Sequence, residues 1–548
     1  MSSISLTQSF DTFTYSSSVF TLASTGATTY SPPFTISNGT SGQATVFLVF
    51  DQAITSTSIN FILTSNNITF DGSSMPIPIS VSNYHGLFNN TGGNTGIIIQ
   101  NISIVASGSP SLFAGGGWVC QASFLGGNII NCSSTPLINL NSGGIVGSGS
   151  SVVATRCKSS GSIGVAGGGI FGTECYNCTA NFCNSSGIIN SSAGGIYGSK
   201  CNYSGNIQTC TATSCFSTGN IGSVSNYGAG GIYGQYCNLG ATLSICDATN
   251  CFSMGNIYGD NIGTNGGIFG DSAVAACNAT NCYSTGNIGT ACGGIFCTGD
   301  SCTATDCYSI GLIGEQAGGI FGYLYTNSTA TNCYSVGDIG SQGGGIFGSN
   351  VSSCTATNCY NAGVVNIDAG GIIGDDSSSC TIQNCYVTGV RLIGVSDSGT
   401  TIINSLAENG SWNDTNASTH LQLTVSGTLI WISIFPNTPY LLASYITTTS
   451  NSTGILLGGQ SPPGYTYYYA FQIPSTITTN GSYADIIIVG RYLQEQDTFT
   501  KNIYGYNILG TNFVVNIPNT TATKYIYVEI DSTKKRHKHA KKNIKKNK

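Results

Sequence analysis

Between residues 116 and 395, small and apolar side chains alternate in short runs of four to six residues. Glycine, asparagine or serine residues separate these runs. Alternation with a period of two is typical of β-strands joined by turns. A helix would need apolar positions three and four residues apart, and each internal glycine would cost about 1 kcal/mol relative to alanine. The pattern therefore predicts an all-β region.

The alternating runs recur with a nearly constant period. Each unit reads GGI[FYVI]G, then CTATNC[YF], then SxGxIG, and a degenerate earlier copy begins at Gly116. The other units begin 25 to 27 residues apart, except for two intervals of 36 residues, at Gly143, Gly168, Gly194, Gly230, Gly266, Gly293, Gly318, Gly344 and Gly370. One unit cannot bury a core, whereas stacked units can. The sequence predicts a right-handed parallel β-helix, a solenoid of about ten coils of which two carry insertions.

Equivalent residues of stacked coils form columns with a spacing of about 4.8 Å. The residue after each glycine pair is predicted to form an inward core column of Ile170, Ile196, Ile232, Ile268, Ile295, Ile320, Ile346 and Ile372. The cysteines are predicted to flank a bend and point inward, at Cys210, Cys215, Cys246, Cys251, Cys277, Cys282, Cys302, Cys307, Cys354, Cys359, Cys380 and Cys385. The glycine pairs are expected at corners that need either a positive φ or a close approach of coils.

The aromatic residue after the second cysteine alternates with inward cysteines and is therefore predicted to point outward. These residues form an aromatic strip of Phe216, Phe252, Tyr283, Tyr308, Tyr334, Tyr360 and Tyr386. One interpretation is stacking between coils that stabilises the sheet. The other is a binding strip for a carbohydrate or a protein partner, since contiguous exposed aromatic residues often mark interaction sites.

The flanking regions lack the period but also contain alternating strands. A solenoid end exposes a sheet edge, so a cap is expected. The predicted organisation is an N-terminal β cap or head at 1–65, opening coils at 66–115, the repeat β-helix at 116–395, closing coils at 396–445, a C-terminal β-sandwich-like domain at 446–533 and a disordered basic tail at 534–548.

The repeated AGGIFG and CYSxGxIG segments resemble the GLUG-type glycine-rich repeats of bacterial surface proteins. They resemble still more closely the cysteine-rich β-helix proteins of giant DNA viruses of amoebae. The segment ITFDGSSMPIPISVSNYHGLFNN resembles the opening coils of that viral family, and GSWNDTNASTHLQL with WISIFPNTPYLL resembles its closing unit. The resemblance covers roughly residues 66 to 443. It implies a structural or surface role without defined catalytic residues.

Charge is concentrated at one end of the chain. Of 16 Lys and Arg residues, nine lie in the last fifteen positions, which leaves 7 against 22 acidic residues upstream, a balance of −15. The tail is predicted to bind a polyanion or an acidic protein through Lys534, Lys535, Arg536, Lys538, Lys541, Lys542, Lys545, Lys546 and Lys548. No secretory-signal pattern and no apolar stretch of about 18 residues is seen, so neither Sec-type export nor a membrane span is expected.

Candidate chemistry in the repeat is sparse. Asp368, Asp375 and Asp376, with Arg391 nearby, are the carboxylates best placed to converge for glycan cleavage, although solvated turn residues are the simpler interpretation. The C-x4-C pairs have no histidine to complete a zinc site or to activate a cysteine nucleophile, because all four histidines lie outside the repeated coils. We therefore predict no catalytic residue, cofactor or metal. The 23 cysteines are an odd number, so at least one is free or intermolecular, and thiols and disulfides both stay open.

These observations favour a non-enzymatic structural or surface protein, a virion or fibre component that forms a rigid rod for assembly or attachment. Expected partners are the protein itself or other virion proteins in a polymer or fibre, and host glycans. The expected location is the virion, after synthesis in the host cytoplasm. The alternatives are a polysaccharide-active β-helix enzyme and a cell-surface adhesin of a bacterium or protist.

Overall fold

A computed structural model describes most of residues 34–407 and the strands of both flanking regions, the latter as backbone. The described ranges are 4–6, 13–16, 19–22, 34–38, 42–48, 53–57, 59–72, 76–203, 208–222, 228–238, 244–259, 265–274, 277–383, 385–387, 391–403 and 405–407, and the backbone of nine later strands. The secondary structure in these ranges is entirely β, and its strands stack as a parallel β-helix.

One continuous sheet of 16 strands runs along the molecule. Its strands are Phe13–Ser16, Val19–Leu22, Ala44–Leu48, Ile68–Asp71, Ile98–Gln100, Leu125–Ile130, Ser151–Thr155, Thr179–Asn181, Thr209–Thr213, Ile245–Thr249, Cys277–Thr280, Thr303–Thr305, Thr329–Thr331, Thr355–Thr357, Thr381–Gln383 and Thr401–Ile403. All pairs except the first are parallel, and equivalent residues of neighbouring units are paired, as Ala304 is with Ala330. At about 4.8 Å between strands, this sheet is about 70 Å long.

A second sheet of 13 strands forms another side of the coil. Its strands are Pro76–Ile79, Ser103–Ala106, Ser133–Ser134, Lys158–Ser159, Asn184–Ser185, Phe216–Ser217, Phe252–Ser253, Tyr283–Ser284, Tyr308–Ser309, Tyr334–Ser335, Tyr360–Asn361, Tyr386–Val387 and Leu406–Ala407. Isolated parallel bridges join the GGI segments of successive coils, as between Gly318 and Gly344. Each repeat is therefore one coil that pairs with the coils before and after it.

Smaller sheets complete the ends and insertions. Near the N-terminus, Ile4–Leu6 pairs antiparallel with Phe34–Asn38, which continues through Phe61–Leu63 to Phe88–Asn89. Short ladders join Ala273–Val274, Gly299–Asp300 and Tyr325–Thr326, and join Ser377–Ser378 with Asp397–Ser398. Parallel pairing of Val19–Leu22 with Ala44–Leu48 places the start of the stack inside the range predicted as a cap.

The strands after residue 407 form three separate sheets. The first contains Ile430–Ile434, Ala443–Thr447, Tyr483–Gly490 and Asn512–Pro518; the second contains Ile455–Leu456, Tyr467–Ile473 and Lys524–Ile530; the third contains Phe499–Thr500 and Asn507–Ile508. Ile430–Ile434 falls in the range predicted as closing coils, yet it pairs with Tyr483–Gly490 of the C-terminal region.

The core consists of columns of identical or similar side chains. All eight isoleucines of the predicted core column are buried, each with an exposure of 0%. A second isoleucine column, from the SxGxIG segments, contains Ile138, Ile163, Ile189, Ile221, Ile257, Ile288, Ile313 and Ile339. Alanines of the CTATNC segments, such as Ala304 and Ala330, fill a third column. Apolar burial along the whole stack is the main source of its stability.

The glycine pairs are required by close contact between coils. A Cβ atom on Gly319 would lie 2.1 Å from the carbonyl oxygen of Gly345 in the next coil. Its φ angle is outside the left-handed region, which among the described glycines is adopted at other positions such as Gly228. Of the two reasons expected for these glycines, close approach is therefore the one that applies here.

The bend between the two sheets uses a left-handed residue in ten successive coils. The corner residue has a φ between 52° and 58° at Asn101, Asn131, Arg156, Phe182, Ser214, Asn250, Asn281, Asp306, Asn332 and Asn358. Asparagine tolerates this conformation better than other residues with a Cβ atom, which explains its frequency in the CTATN segment.

We expect the substitution Phe182→Asn to stabilise the protein by about 1 kcal/mol, because it relieves backbone strain at a positive φ of 56°. The Phe182 side chain is 55% exposed, so little packing is lost. Urea unfolding measures the change. Phe182→Leu is the matched control, since leucine keeps the strain, and an equal gain with leucine would contradict this explanation.

Candidate functional site

The most regular chemical feature of the interior is a column of ten thiols from the second cysteine of each unit. Its members are Cys132, Cys157, Cys183, Cys215, Cys251, Cys282, Cys307, Cys333, Cys359 and Cys385, all of them buried thiols that form no disulfide. Each sulfur lies against two carbonyl oxygens, as at Cys282, whose Sγ is 3.3 Å from Ala248 O and 3.4 Å from Thr280 O. The one thiol proton can be donated to either oxygen.

The first cysteines form a second column that is interrupted once. It contains Cys178, Cys210, Cys246, Cys277 and Cys302, then Ser328 in place of a cysteine, then Cys354 and Cys380. The structure thus places all twelve cysteines of the predicted cysteine ladder inside, and it adds Cys178 and Cys183, which also have C-x4-C spacing, and the single cysteines Cys132, Cys157 and Cys333.

Two buried asparagines connect thiols of successive coils. Cys210 donates to Asn202 Oδ1 at 3.1 Å, and Asn202 Nδ2 donates to Cys246 Sγ at 3.4 Å. Cys246 donates in turn to Asn238 Oδ1 at 3.2 Å, and Asn238 Nδ2 donates to Cys277 Sγ at 3.6 Å. Each asparagine directly follows a cysteine in one of the two longer units, as Cys201-Asn202 and Cys237-Asn238. This repeated Cys-Asn pair is the sequence feature from which the network could have been predicted.

Several thiols of the column are chemically quiet, whereas hydrogen bonds from Cys183 and Cys251 lower the pKa of Cys215 to about 4. Burial raises the pKa of the Cys157, Cys282 and Cys359 thiols well above the ordinary value. Only the thiolate is a good nucleophile or metal ligand. Among the described residues, no group of three or more His, Cys, Asp or Glu side chains is arranged to hold a metal ion.

Two columns of stacked aromatic rings run along the rod. The inner column, which sequence reasoning missed, occupies the position after each core isoleucine and contains Phe171, Tyr197, Tyr233, Phe269, Phe296, Phe321 and Phe347. Its ring centroids are 4.7 to 4.9 Å apart. Tyr233 donates its hydroxyl to Asp247 O at 2.7 Å, so the polar end of this ring has a partner inside the core.

The predicted aromatic strip is the outer column. The rings of Phe216, Phe252, Tyr283, Tyr308, Tyr334 and Tyr360 stack with centroids 4.8 Å apart and planes within 8° of parallel. The prediction that these residues point outward to solvent is wrong for Tyr334 and Tyr360, whose side chains are 0% and 3% exposed. At these two positions the ring edges are covered as well as the ring faces. The side chain of Tyr386 lies outside the described residues.

The stacking limits what the outer column can bind. A ligand that packs on an aromatic ring needs a free ring face. Both faces of Phe252 are occupied by Phe216 and Tyr283, so this column presents half-buried ring edges to solvent. The geometry favours the stacking interpretation over a carbohydrate platform.

The candidate carboxylates come together only in part. Ser341 Oγ donates to Asp368 Oδ2 at 2.6 Å, while Gln342 Nε2 donates to Asp375 Oδ2 at 3.5 Å. The Gln342 backbone N–H is 3.4 Å from Asp368 Oδ1, so one residue contacts both carboxylates. Asp376 is exposed at a left-handed position. The bond from Ser341, with the charge of Arg391, holds the pKa of Asp368 below its ordinary value.

The basic tail, Lys534 to Lys548, lies outside the described residues. No helix in the described ranges is long and apolar enough to cross a membrane. Within the described ranges Lys200 and Glu174 form an ion pair at 3.7 Å, and charged residues make up only 7% of the whole chain.

Comparisons with known proteins give little beyond these observations. No protein-family model matches the chain. No curated protein matches it either. Three solved structures are similar: tailspike protein 3 of bacteriophage CBA120, a mutant of the tailspike protein of E. coli bacteriophage HK620, and ORF18 of Geobacillus virus E2.

The three likenesses are remote. The CBA120 protein is 10% identical over 70% of this chain with a TM-score of 0.31, and this chain spans 60% of its length. The HK620 protein is 9% identical over 89% of this chain and 86% of its own, with a TM-score of 0.29. ORF18 is 10% identical over 90% of this chain and 70% of its own length, with a TM-score of 0.23. We draw no functional conclusion from them.

Proposed function

We propose that this protein is a non-enzymatic structural rod of a giant-virus particle, a surface or fibre component used for assembly or attachment. The observation that carries the proposal is the single 16-stranded sheet, whose coils repeat in register and bury the same side chains throughout. Such a stack is stiff because bending it would separate paired strands on one side. The resemblance of the repeats to the viral β-helix family supports the particle as the location.

The outer face of the long sheet supports a role in packing rather than in chemistry. Most of its outward positions are half-buried hydroxyl and amide side chains, such as Thr303, Thr329 and Thr355. Because few positions on this face carry a charge, the long sheets of two rods can lie against one another or against other particle proteins, although the chain before residue 534 has a charge balance of −15. A polymer or fibre of this chain, and contacts with host glycans, belong to the same proposal.

Mass spectrometry of purified particles tests the location. We expect peptides of this chain in amounts comparable to those of known surface proteins, and we expect brief protease treatment of intact particles to remove them. Recovery only from the soluble fraction of infected cells would contradict the proposal. An adhesin of a bacterium or protist would instead be encoded outside a viral genome.

The glycan-cleaving alternative rests on the residues around Gln342. A glycosidase needs one carboxylic acid with a raised pKa, whereas the pKa of Asp368 is lowered by its hydrogen bond with Ser341. We expect no release of reducing ends from host polysaccharides by the full-length protein. Cleavage that disappears in Asp368→Asn and Asp375→Asn, but persists in Asp338→Asn of the preceding coil, would establish the enzyme instead.

The tail is proposed to anchor the rod to a polyanion or an acidic protein layer. Nine Lys and Arg residues without an acidic residue can neutralise phosphates, and the tail has no Phe, Tyr or Trp ring to stack on bases, so no sequence preference is expected. Removing residues 534–548 should leave the melting temperature unchanged and release the protein from its partner. Attachment that resists about 200 mM salt, or that survives the deletion, would contradict this role.

A further inference from the structure

One pair of cysteines is set apart from the other thiols. Cys354 and Cys380 occupy the same position in successive coils, because Thr355 pairs with Thr381 and the Thr381 N–H donates to Cys354 O at 2.8 Å. In the preceding coil that position is Ser328, whose hydroxyl donates to Thr326 O. The pair is therefore separated from the rest of its column and can form only one disulfide.

The spacing between the two coils is compatible with a disulfide at this position. Residues in register on adjacent parallel strands have Cα atoms about 4.8 Å apart, inside the 4.4–6.8 Å range of natural disulfides. Both side chains point into the coil interior, with exposures of 0% for Cys354 and 1% for Cys380. Each thiol lies against a backbone carbonyl of its own coil, Cys354 Sγ at 3.4 Å from Ser352 O and Cys380 Sγ at 3.3 Å from Ser378 O, so the two sulfurs occupy equivalent places in successive coils.

The position of the pair provides access that the central thiols lack. The next coil contributes Thr400 over Cys380, at the end of the loop 396–400, whose first four residues are exposed. Within this segment Asp397–Ser398 pairs with Ser377–Ser378, so we expect its opening to uncover Cys380 without disturbing the central coils. The hydrogen bond from Cys354 lowers the pKa of Cys380 to about 7, which leaves Cys380 as the thiolate partner.

We infer that Cys354 and Cys380 form a redox-responsive pair, in which exchange with a disulfide oxidant creates a covalent link between two neighbouring coils near the C-terminal end of the stack. The Cys380 thiolate attacks one sulfur of a small-molecule disulfide, and one thiolate of that molecule leaves. Cys354 then gives up its proton and attacks the Cys380 sulfur, and the second thiol leaves. Two protein thiols are oxidised while one disulfide is reduced to two thiols.

The test uses the full chain, fully reduced and then treated with oxidised glutathione under native conditions. After the remaining thiols are blocked with N-ethylmaleimide, peptide mapping should show the Cys354–Cys380 link as the main product, with a higher melting temperature that reverts on reduction. Cys354→Ser should lose the link and retain a glutathione adduct on Cys380. Cys380→Ser should show neither link nor adduct.

Cys302→Ser is the matched control, because Cys302 lies in the same column but beside Cys277. In this variant the link between Cys354 and Cys380 should form as in the parent. If a variant does not fold, mapping of the native wild-type chain decides alone. Links spread evenly over the ten-thiol column, or a pair that stays alkylatable after oxidation of folded protein, would overturn the inference.

Discussion

Ile320→Asp is expected to destabilise the protein by at least about 4 kcal/mol and to abolish folding of the central coils at 37 °C. Ile320 is completely buried in the core column, between Ile295 and Ile346 of the adjacent coils. A carboxylate there would have no partner, and protonation would still leave a polar group in an apolar column. Circular dichroism and urea unfolding measure the loss.

Leu312→Asp provides the matched control. Leu312 lies only eight positions earlier in the chain, but its side chain is 55% exposed, so the new charge is solvated. We expect a change within about 0.5 kcal/mol, as for ordinary surface substitutions. Equal effects at the two positions, or an Ile320→Asp variant that melts like the parent, would contradict the register of the stack.

The second large effect is a loss of stability at alkaline pH. Burial raises the pKa of thiols such as those of Cys157, Cys282 and Cys359, so the folded state keeps their protons above the unfolded pKa of about 8.5. Between that value and the raised folded pKa, the unfolded state holds fewer protons, and stability therefore falls as pH rises. Each such thiol contributes about 1.4 kcal/mol per pH unit.

Urea midpoints between pH 7.5 and pH 10, in a reducing buffer, measure this dependence. A variant with Cys282, Cys333 and Cys359 replaced by alanine should show a slope smaller by about 4 kcal/mol per pH unit, since three fewer protons separate the two states. A parent slope near zero would show that the thiols are not both protonated and buried in the folded protein.

The sequence was sufficient to predict the stack, because the repeat carries its own register. Because the GGI and CTATNC segments are a fixed number of residues apart, the isoleucine equivalent to Ile320 in each unit lies above the same isoleucine of the next unit. This register can be predicted from the repeat alone. The same argument would have found the inner aromatic column at Phe321, since it follows the core isoleucine in almost every unit.

Other features depend on geometry between coils, which a pattern does not contain. The reason for Gly319 became clear only from the 2.1 Å approach of the next coil, and the need for asparagine at the corner only from the positive φ of Asn332. Burial of Tyr334 depends on what covers its ring edge. The thiol contacts of Asn202 depend on how a longer coil folds back into the interior.

Electron cryotomography of intact particles, with and without the gene for this chain, tests the central claim most directly. The account predicts thin surface rods whose straight segment is at least about 70 Å long, the length of 16 strands spaced by about 4.8 Å, and predicts their loss on deletion of the gene. Particles that keep every surface feature without the gene would contradict it.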